Sequence, residues 1–231
     1  MKKGKMAEII EHLHACETLS ALLPSQVKEL AVHATMRSVP KNTDVFIPGD
    51  AADSVYLQVF GSGQITHADK SGKRAILQVI WPGKLIGHCA LIDVRVRESR
   101  CTMTSDSLII VIPVSSLKKA MSENPGLTSD LLQDIGNTMR SLAHRLASVL
   151  LRPKRQRLLD VLSDLANSNG VEHENALLIP QVFSHQQLSE MIGASRETVS
   201  IILGQLKAEG IVAYNGRRIM MMAQPESSSD G

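Results

Sequence analysis

The spacing of apolar positions changes along the chain and predicts a helical start, a β-rich middle and a helical second half. Residues 6–34 alternate apolar and polar groups at helical spacing, and Pro24 fits the first turn of a helix. From Met36 the period becomes that of strands, for example in Ser54–Phe60. Glycines separate these runs at Gly49, Gly61, Gly72 and Gly83. The pattern predicts one antiparallel β-domain, a sandwich or barrel, over about residues 36–114.

A long helical segment follows, and its apolar residues keep the three-four spacing of a coiled-coil seam. The seam residues are Leu132, Ile135, Met139, Leu142, Leu146 and Val149. A single core helix can show the same stripe, but this stripe is narrow, and Arg140, His144 and Arg145 keep the other sides polar. We therefore predict a dimerisation helix over residues 122–152. Pro153 ends it because proline cannot continue a helix without losing a hydrogen bond, and a hinge is expected there.

Two short helices separated by a glycine are predicted near the C-terminus. Ser184 and Gln187 have the spacing of a capping box, and Gly193 permits the turn that ends the first helix. Ser195 fits the N-cap of the second helix, and Gly210 follows its end. The arrangement predicts a helix-turn-helix whose second helix enters the DNA major groove.

The first turn of that second helix carries side chains that can recognise bases. Arg196 can donate to guanine O6 and N7, and the Glu197 carboxylate can accept from the cytosine amino group. The predicted DNA-contacting residues of this helix are Ser195, Arg196, Glu197, Thr198 and Ser200. Two short helices around a glycine also occur in proteins that never bind DNA, so the pattern alone leaves a purely structural motif open.

A β-hairpin is predicted directly afterwards and favours the DNA-binding interpretation. Asn215-Gly216 joins two apolar strand-like runs, which is a strong signal for a two-residue loop. Arg217 and Arg218 fall at its tip, where they can contact phosphates, although a basic tip can also simply be solvated. We predict a winged helix-turn-helix domain over residues 153–224. Residues 225–231 carry no apolar side chain and are expected to be disordered.

The run Ile192-Gly-Ala-Ser-Arg-Glu-Thr-Val-Ser200, with the helix and Asn-Gly hairpin after it, resembles the DNA-binding domain of the CRP/FNR family of bacterial transcription regulators. Val45–Asp50, Val55–Leu57 and Trp81–Gly87 resemble the family's cyclic-nucleotide-binding β-roll. The resemblance implies an α+β fold with an antiparallel β-roll sensor and N-terminal helices over residues 1–121. The dimerisation helix and the winged domain then complete the chain.

The resemblance also implies partners and a function. It implies a cytoplasmic homodimer that binds a palindromic operator in double-stranded DNA, with RNA polymerase as a further partner if the protein is an activator. Arg196 and Glu197 would contact bases, and Ile201 replaces an Arg of the cyclic-AMP-responsive members, so a different operator is expected. The alternative is a ligand-responsive regulatory subunit that acts on a partner protein without DNA binding. No catalytic triad order, paired carboxylates, phosphate loop or metal spacing is evident, so no enzyme is expected.

The effector prediction rests on two departures from the family pattern. Cyclic-nucleotide-binding members hold the ribose with a Gly-Glu pair and the phosphate with an Arg followed by Ser or Thr. The matching positions here are Gly87-His88 and Arg97-Glu98. Glu98 would place a carboxylate near the phosphate, and His88 cannot accept two hydrogen bonds as a carboxylate does. Weak or absent cyclic AMP binding is therefore expected. An Arg97 salt bridge to Glu98 or Asp93 and a pocket for another ligand are both left open.

The tentative effector pocket comprises Gly87, His88, Cys89, Arg97 and Glu98. The histidines and cysteines of the chain also bear on whether the sensor could use an iron–sulfur cluster, haem or a thiol. Cys16 alone near the N-terminus supplies too few thiolates for an iron–sulfur cluster. Haem-binding members of the family use a His and sometimes a Cys from the segment that here reads Gly87-His88-Cys89, so the resemblance leaves haem ligation open, although such a pair more often belongs to ordinary packing. Cys89 or Cys101 could also serve as a thiol switch. The sequence leaves the effector unknown.

Composition adds little to the functional argument. The 231 residues have room for two modest domains, and the net charge of +2 does not by itself indicate nucleic-acid binding. A local basic cluster comprises Arg152, Lys154, Arg155 and Arg157; such clusters are usually solvated, but some of these side chains could lie near phosphates. Three cysteines without paired spacing suit a reducing cytoplasm, and no apolar run reaches membrane-spanning length.

Overall fold

The computed structural model describes residues 2–92 and 95–222. These residues belong to two compact units, of which the first runs to Ala143 and the second begins at His144. The division falls inside a long helix, which is the predicted dimerisation helix. No helix among the described residues combines the length and the apolar content that crossing a membrane requires.

In the first unit, two helices precede the strands in sequence and two follow them. They are α1 (Lys2–Ala15), α2 (Pro24–His33), α3 (Val114–Glu123) and the first part of α4 (Pro125–Leu151), with short 3₁₀ turns at Glu17–Leu19 and His88–Leu91. Pro24 occupies the first turn of α2, as predicted, because the backbone N–H that proline lacks has no helical partner there.

The β-domain consists of two antiparallel four-stranded sheets, which confirms the predicted architecture. Its strands are β1 (Thr35–Val39), β2 (Asp44–Phe46), β3 (Ser54–Phe60), β4 (Gly63–Ala68), β5 (Arg74–Ile80), β6 (Leu85–Ile86), β7 (Arg100–Met103) and β8 (Ser107–Pro113). One sheet has the order β1-β8-β3-β6 and the other β2-β7-β4-β5. The sequence did not predict β1, β6 or β7, because β1 is mostly exposed and shows no apolar alternation, and β6 and β7 have only two and four residues.

Strand β8 packs into two different cores through its two faces. Ile110 and Ile112 lie in a core with residues of the helices, such as Leu13 and Val27. Ile109 lies in a second core that also contains side chains of β2 and β7. This double burial explains why the strand is a nearly continuous apolar run rather than an alternating one.

The second unit joins the last turns of α4 to three further helices and a small antiparallel sheet. Its elements are α5 (Lys154–Asn169), β9 (Val171–His173), β10 (Ala176–Leu178), α6 (His185–Ile192), α7 (Arg196–Ala208), β11 (Val212–Asn215) and β12 (Arg218–Met222). The sheet order is β11-β12-β10-β9, so the predicted hairpin is extended by two strands of three residues that the sequence did not predict. The predicted disordered tail, 225–231, lies outside the described residues.

The helix is interrupted at Pro153, as predicted, and hydrogen bonds connect the two helices across the interruption. Helix α4 ends at Leu151, and Pro153 is the N-cap of α5. Across the break, Ser148 Oγ and Arg152 Nη1 each donate a hydrogen bond of 2.8 Å to the carboxylate of Asp160. The last turn of α4 is therefore held against α5.

Candidate nucleic-acid interface

Helix α6 begins and ends at the residues that the sequence predicts. Ser184 Oγ accepts a hydrogen bond from the Gln187 backbone N–H at 3.1 Å, and Gln187 Oε1 accepts from the Ser184 N–H at 3.0 Å. Gly193 ends the helix with a φ of 65°, a left-handed conformation that glycine adopts without steric cost. These local bonds fix the turn that leads into α7.

The N-terminus of α7 is capped by its own hydroxyl groups. Ser195 Oγ accepts from the Thr198 backbone N–H at 3.2 Å and lies 3.0 Å from Thr198 Oγ1. Both predicted contact residues therefore serve the helix cap, and their hydroxyl groups are partly occupied. The opposite face of α7 is buried through Val199, Ile202, Leu203 and Leu206. Burial of this face leaves the other face of the helix open to a ligand.

Arg196 and Glu197 lie side by side on the open face, and both side chains are exposed. The pKa of the Glu197 carboxyl is lowered from its usual value, first because its own backbone amide donates to it and then because the Ser195 hydroxyl does. The side chain is therefore an anion at neutral pH and can accept hydrogen bonds. The pair offers a cationic donor fork beside an anionic acceptor at the start of the helix.

Ser200, the fifth predicted residue of this helix, is engaged within the protein. Its Oγ lies 2.6 Å from His185 Nδ1 of α6 and 3.0 Å from the carbonyl oxygen of Arg196. The hydroxyl thus links the two helices of the motif. The role of His185 was not evident from the sequence, because its partner lies fifteen residues away on another helix.

The hairpin loop is displaced by one residue from the predicted position. Asn215 pairs with Arg218 in the β11–β12 ladder, so the loop residues are Gly216 and Arg217 rather than Asn215 and Gly216. Gly216 has a φ of 60°, which places the positive φ at the first loop position, as in type II′ turns. Arg217 lies at the tip and Arg218 begins β12, and both are exposed. Two cations therefore project from the end of the wing.

Three arginines of the basic cluster around Pro153 make contacts within the protein. Arg155 pairs with Glu209, and Arg152 pairs with Asp160 at 2.8 Å. Arg157 donates to the carbonyl oxygen of Arg152 at 2.8 Å and to that of Ile192 at 3.3 Å. These contacts favour a structural role for the cluster over phosphate contacts.

Most of the predicted seam residues on α4 remain exposed in the single chain. Leu132, Met139, Leu142 and Leu146 are exposed, with Met139 at 71%, and Ile135 and Val149 are half-buried. Leu150 and Leu151 are exposed as well, although they fall outside the three-four spacing. The helix thus presents an apolar stripe that the described residues leave largely uncovered.

Arg97 is the central residue of the tentative effector pocket, and it is 6% exposed. Its guanidinium donates to the carbonyl oxygen of Gly87 at 3.1 Å and to that of Ser54. The group also lies over the Phe46 ring, 4.4 Å from the centroid. Gly87 has a φ of 78°, a left-handed conformation that favours glycine, and a Cβ at this position would lie 2.5 Å from Arg97 Nη1. Gly87 and Arg97 are therefore brought together, as the pocket prediction requires.

The other residues of the tentative effector pocket, His88, Cys89 and Glu98, differ from one another in burial. Glu98 is exposed, and the described ion pairs do not include one between Glu98 and Arg97; Asp93 lies outside the described residues. His88 is buried, and no described hydrogen bond reaches its Nδ1. Cys89 is exposed, whereas Cys101 is buried, and burial raises the pKa of the Cys101 thiol to about 12. A protonated, buried thiol is unreactive, so Cys101 does not fit a thiol switch.

Within 2–92 and 95–222, no group of three or more His, Cys, Asp or Glu side chains is placed to hold a metal ion.

Family models match both units of the chain. A model described as a cyclic nucleotide-binding domain matches residues 36–124, and one described as a Crp-like helix-turn-helix domain matches residues 144–226. A β-roll followed by a helix-turn-helix of this type defines a class of two-domain transcription regulators. The chain belongs to this class, within the CRP/FNR family, and carries its helix-turn-helix DNA-binding domain.

Individual relatives extend over most of the chain. The anaerobic regulatory protein of Bacillus subtilis (strain 168) is 28% identical over 198 residues, which are 85% of this chain and 83% of that protein. The c-di-GMP responsive global regulator CLP of Xanthomonas campestris has a TM-score of 0.72 at 21% identity and covers 87% of this chain and 99% of its own. FixK2 of Bradyrhizobium japonicum has a TM-score of 0.74 at 21% identity, over 83% of this chain and 93% of its own. At these identities the two structures support the fold. The alternative of a regulatory subunit without DNA binding gains no support from these relatives.

Proposed function

We propose that the protein is a cytoplasmic, homodimeric regulator that recognises a two-fold-symmetric operator through α7. The observation that carries the proposal is the exposed pair of Arg196 and Glu197 on the first turn of a capped helix. In the major groove, Arg196 would donate to guanine and Glu197 would accept from cytosine, each contact worth about 1–3 kcal/mol of discrimination. Glu197 acts here as a carboxylate, which is an acceptor without a competing proton.

Phosphate contacts are assigned to the wing. Arg217 and Arg218 are exposed and have no carboxylate partner among the described ion pairs. Their charges can therefore displace the counterions that cover DNA phosphates. Such contacts position the domain on the duplex without specifying its sequence.

Dimerisation is assigned to the α4 seam. One winged domain makes few base contacts, whereas two domains related by a two-fold axis contact two half-sites about one DNA turn apart. The stripe from Leu132 to Val149, four of whose six residues are exposed, has the spacing that a second copy of the same helix can cover. Because Asp160 braces the break at Pro153, we further propose that the last turns of α4 move together with the DNA-binding domain.

The β-roll residues do not fit cyclic AMP in its usual mode. Arg97 already donates to two carbonyl oxygens and lies over an aromatic ring, so its guanidinium is committed within the protein. His88, which follows Gly87 in the sequence, is a buried imidazole at the position where the resemblance implies a ribose-binding carboxylate. We infer that the natural effector, if the protein uses one, is bound by other contacts.

The proposal is tested by comparing two arginine variants on two DNAs. Arg196→Ala should weaken binding to the operator by about 10–100-fold for each half-site and weaken binding to random duplex far less. Arg217→Ala should weaken both to a similar extent and reduce the salt dependence by about one unit of slope for each lost phosphate contact. Fluorescence anisotropy at several salt concentrations measures both effects. Equal losses of Arg196→Ala on both DNAs would remove its assignment as a base-contacting residue.

A further inference from the structure

Helix α7 exposes one large apolar side chain on its open face. Ile201 is 64% exposed and lies one helical turn after Glu197, on the same side of the helix. The other large aliphatic residues of α7 between Val199 and Leu206 are buried on the opposite face. A single exposed isoleucine is ordinary on a protein surface. This one, however, continues the row of side chains that the proposed function places against base edges.

Gly204 lies three residues further along the same face and has no structural reason to be glycine. It is in the helix interior and exposed, and a methyl group added there would meet no described atom within 4 Å, the nearby helix backbone aside. Its φ is not positive, so its conformation does not require glycine either. Glycine inside a helix destabilises it relative to alanine. The missing side chain instead leaves room for an external surface to approach the helix beside Ile201.

The major groove offers one kind of group that matches an isoleucine. Base edges there present hydrogen-bond donors and acceptors, and the 5-methyl group of thymine is their main apolar feature. We propose that Ile201 contacts the 5-methyl group of a thymine in each half-site and thereby specifies that base, with Gly204 permitting the close approach. The inference rests on the proposed function, because it requires α7 to lie in the major groove.

Replacing thymine by uracil tests the contact, because it removes the methyl group and leaves every hydrogen-bonding atom of the base unchanged. An operator obtained by selection is synthesised with uracil at each thymine in turn, in both half-sites together. For the wild-type protein, one position should show a loss of roughly fourfold for each half-site, the value expected for one buried methyl group. Uniform affinity for all of these operators would overturn the inference.

Two variants assign the loss to Ile201. Ile201→Ala should bind the thymine and uracil operators with equal affinity at that position. Arg196→Ala, the matched control, should bind more weakly overall but keep the full uracil penalty, because it loses a different base contact. If Ile201→Ala keeps the wild-type penalty, another residue contacts the methyl group and the inference fails.

Gly204→Ala provides a second test, because it should change protein stability and operator affinity in opposite directions. The substitution should raise the melting temperature, because alanine favours the helix, and should lower operator affinity, because the new methyl group meets the DNA. Unchanged or increased affinity would contradict the close approach. Failure of the proposed function is distinguishable from all of these results, because the selection would then provide no specific operator to modify.

Discussion

His185 Nδ1 lies 2.6 Å from Ser200 Oγ, and this contact joins the two helices of the DNA-binding motif. The same hydroxyl lies 3.0 Å from the Arg196 carbonyl oxygen. A hydroxyl has one hydrogen, so when it donates to that carbonyl, His185 must donate from Nδ1. Ser200 therefore links α6 to the first turn of α7, and we expect its effect on DNA binding to be indirect.

Ser200→Ala should lower the free energy of unfolding of the protein by about 1 kcal/mol, the usual worth of a protein hydrogen bond. Ser168→Ala is the matched control, because Ser168 is an exposed serine on helix α5. That control should stay within about 0.5 kcal/mol of the wild type. Urea denaturation measures both variants, and equal stability of the two would show that the His185 contact contributes nothing.

Leu146→Ala should weaken the dimer. In a two-fold interface the substitution removes two leucine contacts at once, so the expected cost is about 3 kcal/mol, or more than a 100-fold rise in the dimer dissociation constant. Leu151→Ala is the matched control, because Leu151 is 82% exposed but lies outside the seam spacing. Sedimentation equilibrium measures both. A wild-type monomer, or equal effects of the two variants, would contradict the seam.

The three thiols should differ sharply in reactivity. Burial raises the pKa of Cys16 and raises that of Cys101 to about 12, whereas Cys89 is exposed. A thiol reagent at neutral pH should therefore label one cysteine quickly in the native protein, and Cys89→Ser should abolish this fast phase. A fast phase that persists in Cys89→Ser would show that a buried thiol is accessible.

The raised pKa of the Cys101 thiol also predicts how the free energy of unfolding changes at high pH. The folded-state pKa lies above the unfolded value of about 8.5, so the folded state retains the proton more strongly. This contribution is complete below the unfolded pKa and is lost as the pH rises toward the folded pKa. Cys101→Ala should be less stable at pH 7 because it leaves a cavity, but its stability should fall less steeply between pH 9 and 11, as measured by urea denaturation.

Cyclic AMP should bind weakly because Arg97 is committed to the Gly87 and Ser54 carbonyl oxygens. We expect a dissociation constant in the millimolar range or above. A ligand present at a concentration equal to its dissociation constant stabilises the folded protein by only about 0.4 kcal/mol. Millimolar cyclic AMP should therefore raise the melting temperature by no more than roughly 2 °C. A shift of many degrees would show that Arg97 is released to bind phosphate.

Local signals in the sequence were sufficient for the DNA-binding helices. Ser184, Gln187, Gly193 and Ser195 each act on residues within one helical turn, and the structure places them as caps and turn. The hairpin was also predicted, but its loop is displaced by one residue because the pairing of Asn215 with Arg218 depends on the register of the whole sheet.

Contacts between distant residues could not be predicted in the same way. Arg97 finds its partners at Ser54 and Phe46, more than forty residues earlier, and sequence neighbours such as Glu98 gave no indication of them. His185 and Ser200 face each other only after the turn has formed. Strands β9 and β10, with three residues each, have no period of their own and form by pairing with β12 and with each other.

The most direct test of the account is selection from randomised duplex DNA by the purified full-length protein. The selection is carried out without effector and, in parallel, with cyclic AMP, c-di-GMP or haem. We expect enrichment of a two-fold-symmetric site whose half-site centres lie about 34–36 Å apart, and loss of that enrichment in Arg196→Ala. Absence of any symmetric site under all four conditions would contradict a homodimeric regulator that binds its operator either alone or with one of these three ligands.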